Sequence, residues 1–330
     1  MAFVEGLAGF VEQYGYGVLL PGSDTALLAI SRHRERLEPR VRLGLPPHEA
    51  VERALDRNEL ETAAGRVGLP VSTQRVCDGL EAGIEAAREL GFPVMVKPLR
   101  VVSQDDGSLT RHWSARADDE DSLRRIEPRL GPRYIVQGHE PGAVVSVGGV
   151  LGGGELLGVA ASRYLRTWEP EAGNVAFSET IAPGAVAEAA ASLVRELGWE
   201  GIFELELIER GDGSFVPIDF NPRVYGSITL AVRAGANLPA IWARRVLGDR
   251  EAPLAARPGV RYRWEDADVR HALWQLRRGR VRAGIAAARP HRSVAHAYFR
   301  ALDPMPFLVR LGSLATDGRA RKRRSARPGG

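Results

Sequence analysis

The chain has 330 residues, of which 44% are hydrophobic and 26% are charged, with a formal net charge of +4. This composition predicts a globular protein with two or three packed units, and it excludes an internal disulfide because Cys77 is the only cysteine. No long apolar run predicts a transmembrane helix and no secretion signal opens the sequence, so we expect a cytoplasmic protein, which the cysteine usage also fits.

Basic residues concentrate at the C-terminal end of the chain. Residues 317–330 contain six basic residues and one acid, so the rest of the chain carries a net charge of −1. We expect a disordered, solvated basic tail there, with contact to an anionic membrane or polymer as the alternative. The near-neutral body and the lack of a nucleic-acid-binding motif predict no nucleic-acid partner.

The N-terminal region predicts a strand–loop–helix unit. Residues 16–21, Y-G-V-L-L-P, have the composition of a central strand covered on both faces, and a helix is predicted over 25–37. Only about 15 residues precede that strand, fewer than a parallel neighbour and its crossover need. We therefore expect residues 1–56 to be a truncated remnant of an α/β domain, with an exposed sheet edge that favours self-association into a homo-oligomer.

Helices and strands alternate through the rest of the chain. Helices are predicted at 48–66, 79–90, 185–197 and 226–247, the last with a break near 235–239. Strands are predicted at 92–98, 134–137, 143–151 and 155–163, with a glycine run at 152–154 turning the hairpin between the last two. Aromatic and basic residues at helical spacing cover 261–289, where packing of the tryptophans is preferred over ligand stacking.

One hairpin carries the chemistry. Residues 204–223 read E-L-E-L-I-E-R-G-D-G-S-F-V-P-I-D-F-N-P-R, two strand-like arms around Asp212-Gly213, the dipeptide favoured in a two-residue type I′ turn. That turn places Glu206 opposite Asp219 and Glu204 opposite Asn221. The four side chains then share one face of the hairpin.

Two carboxylates directly across a strand pair repel each other, so their pairing predicts a positive charge between them. Magnesium prefers one or two carboxylate ligands together with phosphate oxygens, and an asparagine supplies a neutral oxygen beside them. The hairpin therefore predicts a Mg²⁺ site at Glu206, Asp219 and Asn221, with Mn²⁺ as a possible substitute. A solvated outer face of an antiparallel sheet is the alternative.

Asp219-Phe220-Asn221-Pro222-Arg223 resembles the last motif of the ATP-grasp superfamily, an acid and any residue before Asn-Pro-Arg. Three further segments in the same order are similar to that family, namely F-P-V-M-V-K-P at 92–98, Y-I-V-Q-G-H-E-P-G at 134–142 and S-R-Y-L-R-T-W-E-P-E-A-G-N at 162–174. The resemblance covers roughly residues 18–250. It is greatest to carboxylate-amine ligases related to the carbamoyl-phosphate synthase large chain.

The resemblance implies an α+β fold in which two subdomains clasp ATP. The implied domains are 57–250 for ATP-grasp, divided into 57–137 and 138–250, followed by a helical segment at 251–316. Lys97 is implied to contact the α- and β-phosphates, and the loop at 103–108 would lie where the family covers the phosphates. The hinge that holds adenine through backbone groups corresponds to Gln137, Gly138, His139 and Glu140.

Arginines are implied to face the transferring phosphoryl group, because a planar guanidinium fits phosphate oxygens. The candidates are Arg163, Arg166 and Arg223. The first two are three residues apart and so point to opposite faces of a regular strand. Arg163 is preferred, because it shares a face with the apolar Ala161 and Val159.

Two departures from the family pattern concern the nucleotide. Asp56-Arg57 stands where relatives often have Asp-Lys, so Arg57 is a candidate for a second phosphate contact with a different donor geometry. The acid that usually follows the hinge Pro-Gly is missing after Pro141-Gly142, so ribose recognition would depend on Glu140 or on another residue.

The resemblance implies a ligase that uses ATP to convert a small carboxylic acid to an acyl phosphate and passes the acyl group to an amine or similar nucleophile. A kinase-like ATP-grasp phosphotransferase and a catalytically degenerate ATP-binding protein are the alternatives. No residue pattern identifies the acid or the amine.

Overall fold

The computed structural model describes residues 2–105, 108–111, 114–168, 173–250, 252–289, 291, 294–300, 302–310 and 312–313. The predicted basic tail at 317–330 and the centre of the predicted loop at 103–108 lie outside these ranges. Within them, no helix combines the length and the apolar character needed to cross a membrane.

The chain divides into two compact units. The first comprises Met1–Tyr164 and Glu179–Gly259, and the second comprises Leu165–Ser178 and Val260–Gly330. The domain boundaries predicted at 56, 137 and 250 stay predictions.

The helices of the first unit are α1 (Ala2–Tyr14), α2 (Asp24–Arg32), α3 (Arg34–Leu37), α4 (His48–Ala54), α5 (Arg57–Arg66), α6 (Gly79–Leu90), α7 (Glu120–Ile126), α8 (Gly184–Glu196), α9 (Ile228–Arg233) and α10 (Leu238–Leu247). The strands up to the first unit's end are β1 (Val18–Leu19), β2 (Arg42–Leu43), β3 (Gln74–Asp78), β4 (Val94–Pro98), β5 (Val102–Asp105), β6 (Ser108–Arg111), β7 (Ala115–Ala117), β8 (Arg133–Gly138), β9 (Ala143–Gly152), β10 (Glu155–Trp168), β11 (Asn174–Ile181), β12 (Gly201–Glu209), β13 (Phe215–Asn221) and β14 (Leu254–Ala255). Strands β10 and β11 continue from one unit into the other.

A four-stranded antiparallel sheet of the first unit has the order β3-β8-β4-β7. One face is apolar, with Tyr134, Val94 and Val96 fully buried in a cluster that includes residues of α6. Helix α6 comes close because it has Gly83 there: a Cβ at that position would lie 1.8 Å from the Tyr134 hydroxyl oxygen. Since side chains alternate across a strand, Lys97 of β4 belongs to the opposite face.

The larger sheet of the first unit has the order β13-β12-β9-β10, with β14 beside β10. Alternate residues of β12, Phe203, Leu205 and Leu207, are fully buried in the same cluster as Leu193 and Val194 of α8. Each such side chain contributes roughly 1.5–3 kcal/mol of burial free energy. The same alternation puts Glu204 and Glu206 on the other face of β12.

The turn between β9 and β10 agrees with the sequence prediction. Gly153 and Gly154 join the two strands with φ values of 62° and 77°. Positive φ at both central residues is the requirement of a type I′ turn, which glycine meets without steric cost.

The N-terminal strand differs from its prediction. Strand β1 has two residues, pairs in parallel only with the two-residue β2, and its residues are half-buried. The expectation of a central strand covered on both faces is therefore wrong. The predicted helix at 25–37 is also interrupted, at His33, between α2 and α3.

The second unit contains β15 (Arg261–Arg263), β16 (Val294–His296), α11 (Glu265–Arg277) and α12 (Val281–Ala288). Strands β15 and β16 pair in parallel, and β11 neighbours β15. Helices α11 and α12 form a hairpin that begins after the Arg-Tyr-Arg strand.

Candidate active site

The β12–β13 hairpin has the predicted partners at its open end. Glu204 pairs with Asn221 and Glu206 with Asp219. The turn differs from the prediction: the Arg210 amide donates to the Ser214 carbonyl at 2.9 Å, which leaves a three-residue loop instead of the predicted two-residue turn.

A β-bulge restores the predicted register. From the turn to Leu207, which pairs with Pro217, the partners are displaced by one residue relative to the prediction. Ile218 is the extra residue on β13, because the next pair is Glu206 with Asp219. The two departures cancel, and the acids lie opposite each other as predicted.

The bulge supplies a contact for Lys97. The extra residue leaves its carbonyl outside the regular ladder, and the Lys97 ammonium donates to the Ile218 carbonyl oxygen at 2.8 Å. The Lys97 side chain is buried, and burial together with the positive charge of Arg57 lowers its pKa to about 8. The negative charges of Asp219, Glu206 and Glu61 act in the opposite direction.

Arg57 approaches the same acids from helix α5. It is the first residue of that helix, which is capped by the Asp56 side chain accepting from the Asn58 amide at 2.9 Å. Its guanidinium donates to the Pro98 carbonyl at 3.0 Å and to Asp219 at 3.4 Å. The structure therefore brings the predicted cations Arg57 and Lys97 to the predicted acid Asp219.

The pKa of the Glu206 carboxyl group is raised, in part because other carboxylates lie close to it. Burial, followed by the neighbouring carboxylates of Glu204 and Asp219, raises its pKa to about 8. Tyr164 donates its hydroxyl to Glu206 Oε1 at 2.8 Å, and burial holds the Tyr164 pKa well above its usual range. Tyr164 thus stays a hydrogen-bond donor that fixes one oxygen of Glu206 and leaves the other for a ligand.

Glu204 is held by three hydrogen bonds and serves as an anchor. Ser146 and Ser227 donate to its Oε1 at 2.9 and 3.1 Å, and the Asn221 amide group donates to its Oε2 at 3.2 Å. The oxygen of Asn221 accepts from Arg223 at 2.7 Å. Because Arg223 can only donate, the Asn221 amide orientation is fixed, with one lone pair of its oxygen left over.

Arg223 connects this site to helix α2. Its guanidinium donates to both carboxylate oxygens of the buried Asp24, at 2.5 and 3.1 Å, and to the Val224 carbonyl at 3.2 Å. With the bond to Asn221, four of its five N–H groups are engaged. Arg223 therefore positions Asn221, and its predicted contact with a phosphoryl group stays a prediction.

The donor set fits a divalent cation that also binds phosphate. Glu206 and Asp219 are directly paired across the hairpin, and Asn221, two residues after Asp219, adds a neutral oxygen on the same face. The described residues contain no cluster of three His, Cys, Asp or Glu side chains arranged for a metal ion. A cation here would take two carboxylates and an amide oxygen from the protein and its other ligands from the phosphates, as Mg²⁺ commonly does.

Arg163 lies on the wrong face for its predicted role. Along the sheet, Ser162 pairs with Ser146 and Ser146 pairs with Glu206, while Arg163 pairs with Val145 and Val145 with Leu207. Arg163 thus belongs to the face opposite the acids, where it forms an ion pair with Glu209. Arg163 was preferred for the phosphoryl contact because it shares a face with Ala161 and Val159, but that face is the apolar side of the sheet and not the side of the acids. The predicted contact of Arg163 with the transferring phosphoryl group therefore conflicts with the strand register.

Arg166 belongs to the second unit. There it donates to both carboxylate oxygens of the buried Asp268, at 2.6 and 3.0 Å, and its guanidinium lies 4.2 Å from the centre of the Phe177 ring. Its predicted role toward a phosphoryl group stays a prediction.

The predicted hinge residues lie at the end of β8 and just beyond it. Gln137 is buried, and the Gly138 amide donates to the Thr73 carbonyl at 2.9 Å, so this amide is already used within the protein. Glu140 forms an ion pair with Arg210 through two guanidinium nitrogens at 2.8 and 3.1 Å. This pairing makes Glu140 a weak candidate for a ribose contact. The adenine contacts of 137–140, including His139, stay predictions.

Sequence reasoning missed Glu61 and Ser72. Both line one pocket together with Arg57, Lys97 and Gln137. Burial raises the pKa of Glu61 to about 7, opposed by the charge of Lys97, and the buried Ser72 hydroxyl has no hydrogen-bond partner among the described residues. Glu61 lies one helical turn after Arg57, so helical spacing was the signal that could have found it.

Tyr164 was missed for a different reason. It lies between the two arginines of its motif and shares the face of the acids, since Ser162 two residues earlier belongs to that face. Counting faces from the hairpin acids across β9 to β10 would have selected it, but the pairing of those strands is not written in any short motif.

A family model matches residues 133–267, with the description "ATP-grasp in the biosynthetic pathway with Ter operon". Two curated relatives are a formate-dependent phosphoribosylglycinamide formyltransferase from a Nitratiruptor species, 28% identical over 62% of the chain, and a carbamoyl phosphate synthase large chain from Thermus thermophilus, 27% identical over 70% of the chain. The chain spans 53% of the first protein and 24% of the second.

Solved structures give the same fold. The biotin carboxylase domain dimer of Hydrogenobacter thermophilus 2-oxoglutarate carboxylase, in complex with MgADP, ADP and bicarbonate, has a TM-score of 0.60 at 15% identity, covering 78% of this chain and 60% of that one. Campylobacter jejuni biotin carboxylase has a TM-score of 0.59 at 16% identity, covering 75% and 58%. This likeness confirms the predicted fold class.

Proposed function

We propose that the chain belongs to the ATP-grasp superfamily and is an ATP-dependent ligase, which activates a carboxylic acid as an acyl phosphate and transfers the acyl group to an amine or similar nucleophile. The observation that carries the proposal is the pairing of Glu206 with Asp219, bordered by the cations Lys97 and Arg57. Opposed acids beside two cations form an arrangement for a metal–polyphosphate ligand. The chain spans about half of the formyltransferase it matches, so the whole reaction remains part of the proposal.

Each side of the site has a separate task in this proposal. Glu206, Asp219 and Asn221 hold Mg²⁺ bound to ATP, which neutralises charge on the phosphates during transfer. Lys97 and Arg57 contact phosphate oxygens, and the Ile218 carbonyl holds Lys97 until they arrive. Phosphoryl transfer depends almost entirely on such positioning and charge.

The remaining residues keep the ligands in place. Tyr164 orients Glu206, and the buried Glu204, fixed by Ser146 and Ser227, orients Asn221. Ligands held by supporting hydrogen bonds lose little entropy on binding, which is how such contacts usually act at metal sites. These residues position the site and touch no reacting atom in the proposal.

The substrates are proposed as a small carboxylic acid and an amine, by analogy with the relatives. A formyltransferase named as formate-dependent and a carboxylase solved with bicarbonate make formate and bicarbonate the first acids to test. The proposed reaction uses ATP, which is supplied in the cytoplasm, and a chain with a single cysteine suits a reducing compartment. Both features support a cytoplasmic location.

A degenerate ATP-binding protein is the second candidate. This candidate is favoured because two of the predicted arginines already have other partners: Arg163 forms an ion pair with Glu209 on the face opposite the acids, and Arg223 is bound to Asp24. In an active ligase some other cation must then stabilise the transferring phosphoryl group. Arg57 is the described residue that we propose for this task.

The test is ADP release from MgATP with formate, bicarbonate and a panel of small acids, each with and without an ammonia or amine donor. Asp219→Asn removes one charge from the site, and Asp212→Asn, in the exposed turn of the same hairpin, is the matched control. The ligase predicts acid-dependent ADP release that Asp219→Asn lowers by at least about tenfold and the control leaves unchanged. ATP binding without ADP release for any acid would favour the degenerate protein.

A further inference from the structure

The helical hairpin of the second unit carries an apolar stripe that the structure leaves exposed. Along α11, Val269, Leu273 and Leu276 are spaced by four and three residues, and along α12, Val281 and Ile285 are spaced by four. Each is between 41% and 59% exposed. Such spacing places the side chains on one face of each helix.

The two stripes lie on helices that touch closely at Gly284. A Cβ at Gly284 would lie 2.6 Å from the Leu276 side chain, so a glycine is required for Leu276 to rest on α12. Ile285 follows Gly284 directly, and Val281 precedes it by one turn. Leu276, at the end of the α11 stripe, therefore lies against α12, the helix that carries Val281 and Ile285.

The same segment is strongly basic. Residues 269–289 contain six arginines and no acid, and all six are exposed, namely Arg270, Arg277, Arg278, Arg280, Arg282 and Arg289. Within the described part of the chain none of them forms an ion pair with an acid. Two of them, Arg278 and Arg280, lie 4.3 and 5.7 Å from the centre of the Trp274 ring.

The acids of α11 do not offset this charge. All three lie in its first turn, and each has another partner: Asp268 binds Arg166 and Arg263, Asp266 binds Arg310, and Glu265 binds His296. The six arginines therefore present an uncompensated positive charge around the apolar stripes. We call the five apolar residues and these six arginines the basic apolar face.

We propose that the basic apolar face docks onto an anionic lipid membrane, with the helical hairpin lying in the plane of the membrane surface. Arginines reach the lipid phosphates, while the aliphatic side chains and Trp274 enter the boundary with the acyl chains. An interfacial helix combines these two features in this way, and it needs no membrane-spanning length. This inference is independent of the ATP site and goes beyond the proposed function.

Charge and apolarity together favour a membrane over other occupants. A second copy docking through the same face would oppose six arginines to six arginines, with no acid to pair them. A nucleic acid would satisfy the arginines but would offer no apolar partner to the aliphatic residues. An anionic bilayer offers both phosphate groups and hydrocarbon.

The test is flotation of the full-length protein with vesicles of phosphatidylcholine alone and of phosphatidylcholine with about 30% phosphatidylglycerol. We expect binding only to the anionic vesicles and weaker binding at high salt. Val281→Ser with Ile285→Ser should lower the vesicle affinity on the order of tenfold or more. Arg277→Gln with Arg282→Gln should lower it about fivefold per arginine at low salt.

Matched controls carry the same changes elsewhere on the surface. Val232→Ser with Leu247→Ser removes exposed apolar side chains, and Arg125→Gln with Arg129→Gln removes exposed arginines. Both controls should bind vesicles like the wild type. The C-terminal tail is identical in all variants, so differences between them report the basic apolar face.

Two outcomes would overturn the proposal. One is unchanged vesicle affinity in the Val281→Ser, Ile285→Ser variant with unchanged thermal unfolding, since binding would then need charge alone. The other is a wild type that is a dimer by light scattering and becomes a monomer in this variant, which would make the face an interface between copies. The arginine variant gives an independent test if the serine variant fails to fold.

Discussion

The pKa of Lys97 is about 8, and neighbouring charges of opposite sign shift this pKa in opposite directions. Burial and the positive charge of Arg57 lower the pKa, while the carboxylate of Asp219 raises it. Arg57→Gln removes a like charge and should raise the pKa toward the ordinary value for lysine. Asp219→Asn removes an attractive charge and should lower the pKa below that of the wild type.

Coulomb's law gives the size of each shift. A unit charge about 6 Å from the ammonium, at an effective dielectric constant of about 20, contributes about 3 kcal/mol, or about 2 pKa units. Asp219 is about one-third exposed, so water screens part of this charge. We therefore expect shifts of about 1 to 2 units upward for Arg57→Gln and about 1 unit downward for Asp219→Asn.

The composition of the chain makes the measurement simple. Lys97 and Lys322 are the only lysines among 45 basic Lys and Arg residues, so protein labelled with ¹³C-lysine gives two Cε signals. Lys322→Arg assigns them. Titration of the Lys97 signal by NMR, in the wild type and both variants, reads each pKa directly.

The expected order of pKa values is Arg57→Gln above wild type, and wild type above Asp219→Asn. A Lys97 that titrates at the ordinary value of about 10.4 would show that it is neither buried nor close to Arg57. Shifts of the same sign in the two variants would refute the electrostatic arrangement of the site.

Three further outcomes follow from the same contacts. The pKa of Glu206 is raised to about 8, so binding of MgATP should release a proton near pH 7, and the MgATP affinity should increase by up to about tenfold per pH unit between pH 6 and 7.5. Calorimetry in two buffers should detect this proton release in the wild type and not in Glu206→Gln. A Cβ at Gly148 would lie 1.9 Å from the Tyr225 hydroxyl oxygen, so Gly148→Ala should lower the unfolding free energy by about 1–3 kcal/mol in denaturant titrations. The control is Gly9→Ala, which should not lower the unfolding free energy because a Cβ there would have nothing within 4 Å. Arg163→Ala should leave the ADP-release rate within about twofold, because its side chain lies on the face opposite the acids, and a large loss would contradict the register that places it there.

The β12–β13 hairpin shows how a correct prediction of strand partners can rest on a wrong turn. The Asp-Gly dipeptide suggested a two-residue turn, but Arg210 and Ser214 close a three-residue loop. The bulge at Ile218 then restores the partners of the acids. A bulge depends on tertiary contacts, here the Lys97 ammonium on the freed carbonyl, and such contacts leave no local sequence signal.

Contacts between distant segments account for the other differences. Glu140 was a candidate for ribose because it follows the hinge, and its ion pair with Arg210 joins residues 70 positions apart. Arg223 was assigned to the phosphates from its motif, and its partner Asp24 is 199 residues away. By contrast, the pairing of Glu206 with Asp219 was predicted because strand alternation fixes the faces of a hairpin locally, whereas Lys97 and Arg57 were proposed from short motifs.

The central claim is that the site makes an acyl phosphate, and transfer of ¹⁸O tests it most directly. The acid that supports ADP release is supplied with ¹⁸O in its carboxylate, and the liberated phosphate is analysed by mass spectrometry. The ligase predicts that one ¹⁸O atom of the carboxylate appears in the phosphate, because that oxygen bridges carbon and phosphorus in the intermediate. ADP release with unlabelled phosphate, or with the phosphoryl group retained on the product as in a kinase, would contradict the account.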